Sequence, residues 1–187
     1  KKKDIDPKLL DWIEKKYGVS SDNVQVIFHG VNVFNKAKEK KIHDSKIILG
    51  CLSRYEPRKG IITLIKMMPR IINNNPSVML LIAGSDPDKY SIYLQDKINS
   101  MSLQNNIKLV GFQEDPYNFL EDVDIFTHAS KSEGFGLVII EAMSMKKPVV
   151  ASNIDPINYI VQDNHTGFLA DPCSYEDFSS KVIRLIN

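Results

Sequence analysis

Two short segments carry the residue types that chemistry on a charged ligand needs. The first is Ser132-Glu133-Gly134-Phe135-Gly136-Leu137-Val138-Ile139-Ile140-Glu141-Ala142-Met143. Gly134 and Gly136 allow a loop whose backbone N–H groups come close to a ligand. A helix expected to start near Leu137 adds unpaired N–H groups and the positive end of its dipole, which together favour an anion. Glu133 precedes the turn, and Glu141 lies about one turn inside the helix at roughly 1.5 Å rise per residue. Carboxylates beside a phosphate site repel phosphate, so these two are expected to face hydroxyl groups. A ligand with a diphosphate in the middle and polyol groups at both ends fits, and a nucleotide sugar is one. The same residues also suit a capped helix bearing two solvated glutamates.

The second segment is Ser53-Arg54-Tyr55-Glu56-Pro57-Arg58-Lys59-Gly60. Arg54 offers a planar fork of donors and Lys59 a mobile point charge; together they can neutralise a diphosphate leaving group. The alternative is a solvated basic turn. Both segments follow apolar runs that read as strands, and this shared position favours the ligand.

The elements that must position these segments alternate. Apolar, β-rich runs are expected as strands at 24–28, 47–52, 78–83, 107–110, 124–129 and 148–152. Helix-like stretches cover 61–73, 88–101, 137–145, 155–161 and 175–186. Continuous apolar strands such as Val78-Met79-Leu80-Leu81-Ile82-Ala83 suit a parallel sheet covered on both faces. The expected fold class is α/β, a doubly wound, mostly parallel, Rossmann-like sheet. Ligands of such sheets bind outside the carboxyl ends of the strands. Residues 1–21 differ: Asp11 to Tyr17 reads as an amphipathic helix ended by Gly18, a lead-in from a preceding domain. Residues 22–187 then form the ligand-binding domain.

Bulk properties exclude other classes. The chain has 187 residues, with 24 Lys+Arg against 23 Asp+Glu, a net charge of +1. That balance gives no global attraction to nucleic acid, which is not an expected partner. Cys51 sits in an apolar run and no Cys-x-x-Cys pair occurs, which fits a reducing compartment. No apolar stretch approaches the roughly 20 residues of a membrane helix. The sequence begins with Lys1, and a piece of something longer is the expectation.

Taken together, these segments resemble the C-terminal, donor-binding domain of the group 1 (family four) retaining glycosyltransferases of the GT-B fold. That family has an Arg-x4-Lys-Gly element, here Arg54 to Lys59-Gly60, and a Glu-x7-Glu element, here Glu133 to Glu141. Val26 to Asn32, Leu81 to Gly84, Val110-Gly111-Phe112, Lys147 to Ser152 and Thr166 to Leu169 resemble flanking family motifs, in order. The resemblance spans about 22–187. It implies that Arg54 and Lys59 bind the donor diphosphate, that Glu141 binds the ribose diol, and that Glu133 contacts sugar hydroxyls near the reacting centre. It further implies that Gly134, Phe135, Gly136 and Leu137 support sugar and phosphate, and that the segment with Gly111 and Phe112 holds the base. The implied activity is transfer of a hexosyl group from a nucleoside-diphosphate sugar, with no cofactor and no metal. The acceptor, a glycan or lipid-linked one, would be held by a further N-terminal domain, and this chain alone would bind donor without transferring sugar. The implied location is cytoplasmic, with peripheral association of the full-length protein at a membrane's cytoplasmic face as a compatible setting.

Departures from the family pattern are visible. Asp155-Pro156 stands where glycines are usual, Tyr159 where an acid is usual, His29 for Asn, and Ser53 for Gly. They motivate a rival reading, a non-catalytic nucleotide-sugar-binding module. A sugar-nucleotide epimerase, which shares the two-domain fold, is a second rival. Asp122-Val123-Asp124 matches a metal-binding Asp-x-Asp, but Asp124 opens a strand and so lies at the sheet edge opposite the ligand. His128, at a strand end near the glycine loop, reads as a packed or hydrogen-bonded residue that could also touch a ligand.

Overall fold

The computed structural model describes residues 7–24, 30–31 and 46–187. The expected strand at 24–28 and the motif around His29 and Asn32 fall largely outside these residues. The chain forms two compact units, 1–30 and 31–187. In the first, α1 (Pro7–Tyr17) carries an ion pair from Lys15 to Asp11 at 2.8 Å. It ends at Gly18, whose N–H donates to the Glu14 carbonyl with φ at 65°.

The second unit is a six-stranded parallel sheet with helices on both faces. Its strands are β1 (Ile48–Leu52), β2 (Met79–Ala83), β3 (Ile107–Gly111), β4 (Ile125–His128), β5 (Val149–Ser152) and β6 (Phe168–Ala170). Its helices are α2 (Ile61–Asn74), α3 (Tyr90–Ser100), α4 (Pro116–Glu121), α5 (Leu137–Ser144), α6 (Ile157–Ile160) and α7 (Tyr175–Ile186). The strand order is β3-β2-β1-β4-β5-β6, and every pairing is parallel. All pairings being parallel sharpens the mostly parallel expectation.

Apolar patterning explains the layers. In α2, Ile61, Leu64, Ile65, Met68 and Ile71 repeat at helical spacing and are fully buried or nearly so. They join residues of α3, α7 and the sheet in one core. Ile139 and Ala142 of α5, Phe119 and Leu120 of α4, and Ile157 of α6 form the core on the other face. Each large apolar side chain fully removed from water stabilises by about 1.5–3 kcal/mol, so both faces hold the strands firmly. Two elements were not anticipated from the sequence. These are α4, capped by the Asp115 carboxylate accepting from the Tyr117 N–H at 2.8 Å, and the three-residue β6.

The chain reverses its winding direction between β1 and β4, which are neighbours in the sheet but lie on opposite sides of this reversal. A crevice opens outside the carboxyl ends of strands at such a point. Both chemistry-bearing segments leave from it: Ser53 follows β1, and the glycine loop follows β4. Asp124 precedes β4 and accepts from the Ile48 N–H at 2.8 Å, which places it at the amino edge of the sheet. Among the described residues, no helix is long and apolar enough to cross a membrane.

Candidate functional site

The loop after β1 is shaped by Tyr55 and Gly60. Tyr55 turns inward, with its hydroxyl donating to the Ile82 carbonyl at 2.8 Å and accepting from the Gly111 N–H at 3.1 Å. Burial pushes its phenol up to about 12, so it stays protonated and keeps both bonds. Its neighbour Arg54 therefore points outward, where it pairs with Glu56 at 3.3 Å. A single 3-10 turn, Pro57–Lys59, leads to Gly60, which adopts the left-handed conformation with φ at 64° before α2. A Cβ at Gly60 would stand 1.9 Å from the Ala129 carbonyl oxygen. Only glycine lets the loop press this closely on the end of β4.

The two loops are stitched together beyond that contact. The Lys131 N–H donates to the Arg58 carbonyl at 2.8 Å, and the Ser130 hydroxyl donates to the same carbonyl and to that of Ser132. This brings Lys59 against Glu133, with Nζ 2.6 Å from Oε1. On the other side, His128 Nε2 lies 2.8 Å from the same oxygen. All three side chains are largely buried, at 11%, 10% and 2% exposure for Lys59, Glu133 and His128. Burial pushes the Glu133 carboxyl up, but the bonds from His128 and Lys59 outweigh it and bring the group down to about 2. Glu133 is therefore a fixed anion at neutral pH.

Gly136, with φ at 91°, precedes α5, and no side chain caps that helix end. The first N–H groups of α5 are left for an anion. Arg54, Lys59, His128, Glu133, Phe135, Gly136 and Leu137 together line a cavity of about 320 Å³. A second cavity, of about 700 Å³, is lined by Tyr55, Gly111, Phe112 and Asp86 among others. The two cavities flank the loop after β1, with Arg54 in one and Tyr55 in the other.

The arrangement meets the sequence expectations unevenly. Arg54, Lys59, Glu133, Phe135, Gly136 and Leu137 share one cavity, and Gly111 and Phe112 border the other. Gly134 is exposed and Glu141 half-buried, and both lie outside these linings. Burial, with repulsion from Asp115, raises the Glu141 carboxyl above its ordinary value. Lys59, expected to serve a diphosphate, holds Glu133, because a desolvated carboxylate takes the nearest cation. His128 is hydrogen-bonded at its strand end, as one of its readings had it, but its partner is Glu133. The sequence signal for that pair is thin, a His and a Glu five residues apart across a strand-to-loop bend. Where family glycines and an acid were noted as absent, Asp155-Pro156 is a cis peptide and Tyr159 is exposed.

Comparison with known proteins agrees with this fold. The chain is 33% identical over 166 residues to a poly(ribitol-phosphate) α-N-acetylglucosaminyltransferase of Staphylococcus aureus (strain COL), covering 83% of this chain and 33% of that protein. A structure of a point mutant of S. aureus TarM, in complex with fondaparinux, α-GlcNAc-glycerol and UDP, matches with a TM-score of 0.78 and 29% identity, covering 98% of this chain and 36% of that one. The C-terminal domain of a group 1 glycosyl transferase, LpcC, from Francisella tularensis matches with a TM-score of 0.70 and 26% identity, over 76% of each chain. The chain thus spans about a third of the curated relative's length. The fold is the Rossmann-like one of GT-B glycosyltransferases. The model of the family "Glycosyl transferases group 1" matches residues 32–187, and the chain belongs to that family.

Proposed function

We propose that this chain binds a nucleoside-diphosphate sugar and serves as the donor half of a retaining hexosyltransferase. The observation that supports it best is the convergence of Arg54, Lys59, Glu133 and the uncapped start of α5 on one cavity at the winding reversal. In the reaction, the bond from the sugar C1 to the diphosphate oxygen breaks and a bond from C1 to the acceptor oxygen forms on the same face. The acceptor hydroxyl's proton leaves with the diphosphate. Arg54, Lys59 and the N–H groups at Leu137 would stabilise charge growing on the leaving diphosphate. Glu133 would orient the sugar through its hydroxyls, Glu141 would take the ribose diol, and the segment at Gly111 and Phe112 the base. The basic pair supplies the charge a divalent cation would otherwise supply, so no metal is invoked.

The acceptor, a glycan or lipid-linked one, would come from a further domain, so the chain alone is expected to bind donor and not transfer sugar. A cytoplasmic setting, near a membrane for lipid-linked acceptors, follows from that reading. Asp155-Pro156 and Tyr159, standing where the family's glycines and acid are usual, motivate one rival, a module that binds the nucleotide sugar without transfer. Calorimetric titration with UDP, GDP and ADP tests the site, UDP first because the TarM structure holds it. The expected result is binding of one of them, weakened in Lys59→Ala and in Glu141→Ala. Activity of the full-length protein against a donor panel separates transferase from binding module.

A further inference from the structure

His128 is buried and hydrogen-bonded to the one carboxylate assigned to the sugar. Its ring stacks on Phe126 with centroids 6.4 Å apart and an interplanar angle of 11°. Its backbone is paired into the sheet opposite Ala151, and its carbonyl accepts from the Ser152 hydroxyl. A ring held on a strand in this way cannot follow a ligand. Its Nδ1 is buried with no hydrogen-bond partner. A proton on that nitrogen would be an unsatisfied buried donor, so the hydrogen bonding assigns the proton to Nε2, which donates to Glu133.

Lys59 is different. It shares Glu133 Oε1 with His128, but its ammonium sits on a flexible four-carbon stem at the cavity wall. Once a diphosphate enters, Lys59 has two anions to serve. If Lys59 alone held Glu133, the carboxylate would be free to swing as the lysine turned, and repulsion by the incoming phosphates would drive it.

We propose that His128 is a positioning residue: through Nε2 it keeps the Glu133 carboxylate aimed at the donor sugar while Lys59 turns to the diphosphate. This rests on the donor-binding reading above. It predicts an effect confined to the sugar's share of binding, which a merely structural histidine would not show.

The test compares Kd for UDP and for UDP-N-acetylglucosamine by calorimetry, in wild type and variants. In Gln the side-chain amide nitrogen can stand where Nε2 stands, whereas in Asn it falls near Nδ1. His128→Gln is expected to keep the wild-type ratio of the two constants. His128→Asn and His128→Leu are expected to lose about tenfold of the sugar's advantage, the worth of a hydrogen bond to a charged group, while UDP alone binds within about threefold of wild type. Circular dichroism and thermal melting report that each variant is folded. Glu133→Gln should lower the ratio similarly, and His128→Leu added to it should lower it no further. An unchanged ratio in both His128→Asn and His128→Leu overturns the proposal, as does a parallel loss of UDP binding in every folded His128 variant. If the wild type binds GDP or ADP in place of UDP, the same ratio is read with that nucleotide and its sugar conjugate; if it binds none of the three, or Glu133→Gln leaves the ratio untouched, the donor reading itself falls, and that failure is separate.

Discussion

Glu133 and Glu141 stand at the two ends of one loop-and-helix segment, and their surroundings could hardly differ more. Glu133 is gripped by Lys59 and His128, and its carboxyl is held at about 2. Glu141 is half-buried, and burial, with repulsion from Asp115, raises its carboxyl. The difference shows that the segment is not a symmetric pair of acids around an anion. One end is held in place before any ligand arrives, by the Lys59 ammonium and the His128 ring nitrogen. At the other end burial and Asp115 leave the charge poorly compensated, a deficit that neutral hydroxyl donors such as a ribose diol can relieve.

The most damaging way to break the Glu133 end is to part the loops that build it. Gly60→Ala puts a Cβ into the Ala129 carbonyl at a left-handed position. It is expected to cost at least about 2 kcal/mol. At about 2–4 °C per kcal/mol for a chain of this size, a melting experiment should show a clear fall in Tm. Lys59→Met comes next. It leaves a largely buried carboxylate held by His128 without its ammonium partner and should cost about 1–3 kcal/mol. The Glu133 carboxyl should then titrate well above 2, read by NMR of the side-chain carboxyl.

The two carboxylates can be set against each other directly. Glu133→Gln should destabilise by about 1 kcal/mol or more, through loss of charge-assisted bonds. Glu141→Gln should stay within about 0.5 kcal/mol, with the sign tending to stabilisation. Chemical denaturation of both variants at neutral pH checks this, and equal losses would erase the contrast. The pH dependence reads the same contrast. The folded Glu133 carboxyl lies below its ordinary 4.5, so its contribution is complete above that value and is lost as pH falls toward 2. Glu141 runs the other way: the folded state favours its protonated form, so its contribution improves as pH falls from neutral. The Glu133→Gln variant should therefore show a shallower acid loss of stability than wild type.

Much of this was readable before any coordinates. The parallel sheet was legible because its strands are continuous apolar blocks separated by amphipathic helices. That Ser53 and the glycine loop share the carboxyl edge followed from their places after strands. Short elements were less legible. β6 has three residues after a glycine, too few for any period to emerge. α4 has six, although Asp115-Pro116 is a capping signal that could have found it. The helix expected over 155–161 shortened to Ile157–Ile160, since Asp155-Pro156 forms a turn ahead of it. The pairing of Lys59 with Glu133 was beyond sequence pattern, because the two are 74 residues apart and meet only through Gly60 and the Ser130–Lys131 contacts. The opposite electrostatics of Glu133 and Glu141 was equally hidden, since it depends on what burial places beside each.

The most direct measurement of the central claim is calorimetric titration of the wild-type chain and Lys59→Ala with UDP, GDP and ADP. The account predicts that one nucleotide binds the wild type and that Lys59→Ala weakens it by about tenfold or more, the loss of a charge-assisted contact to phosphate. No binding by the wild type, or the same affinity in both proteins, would contradict it.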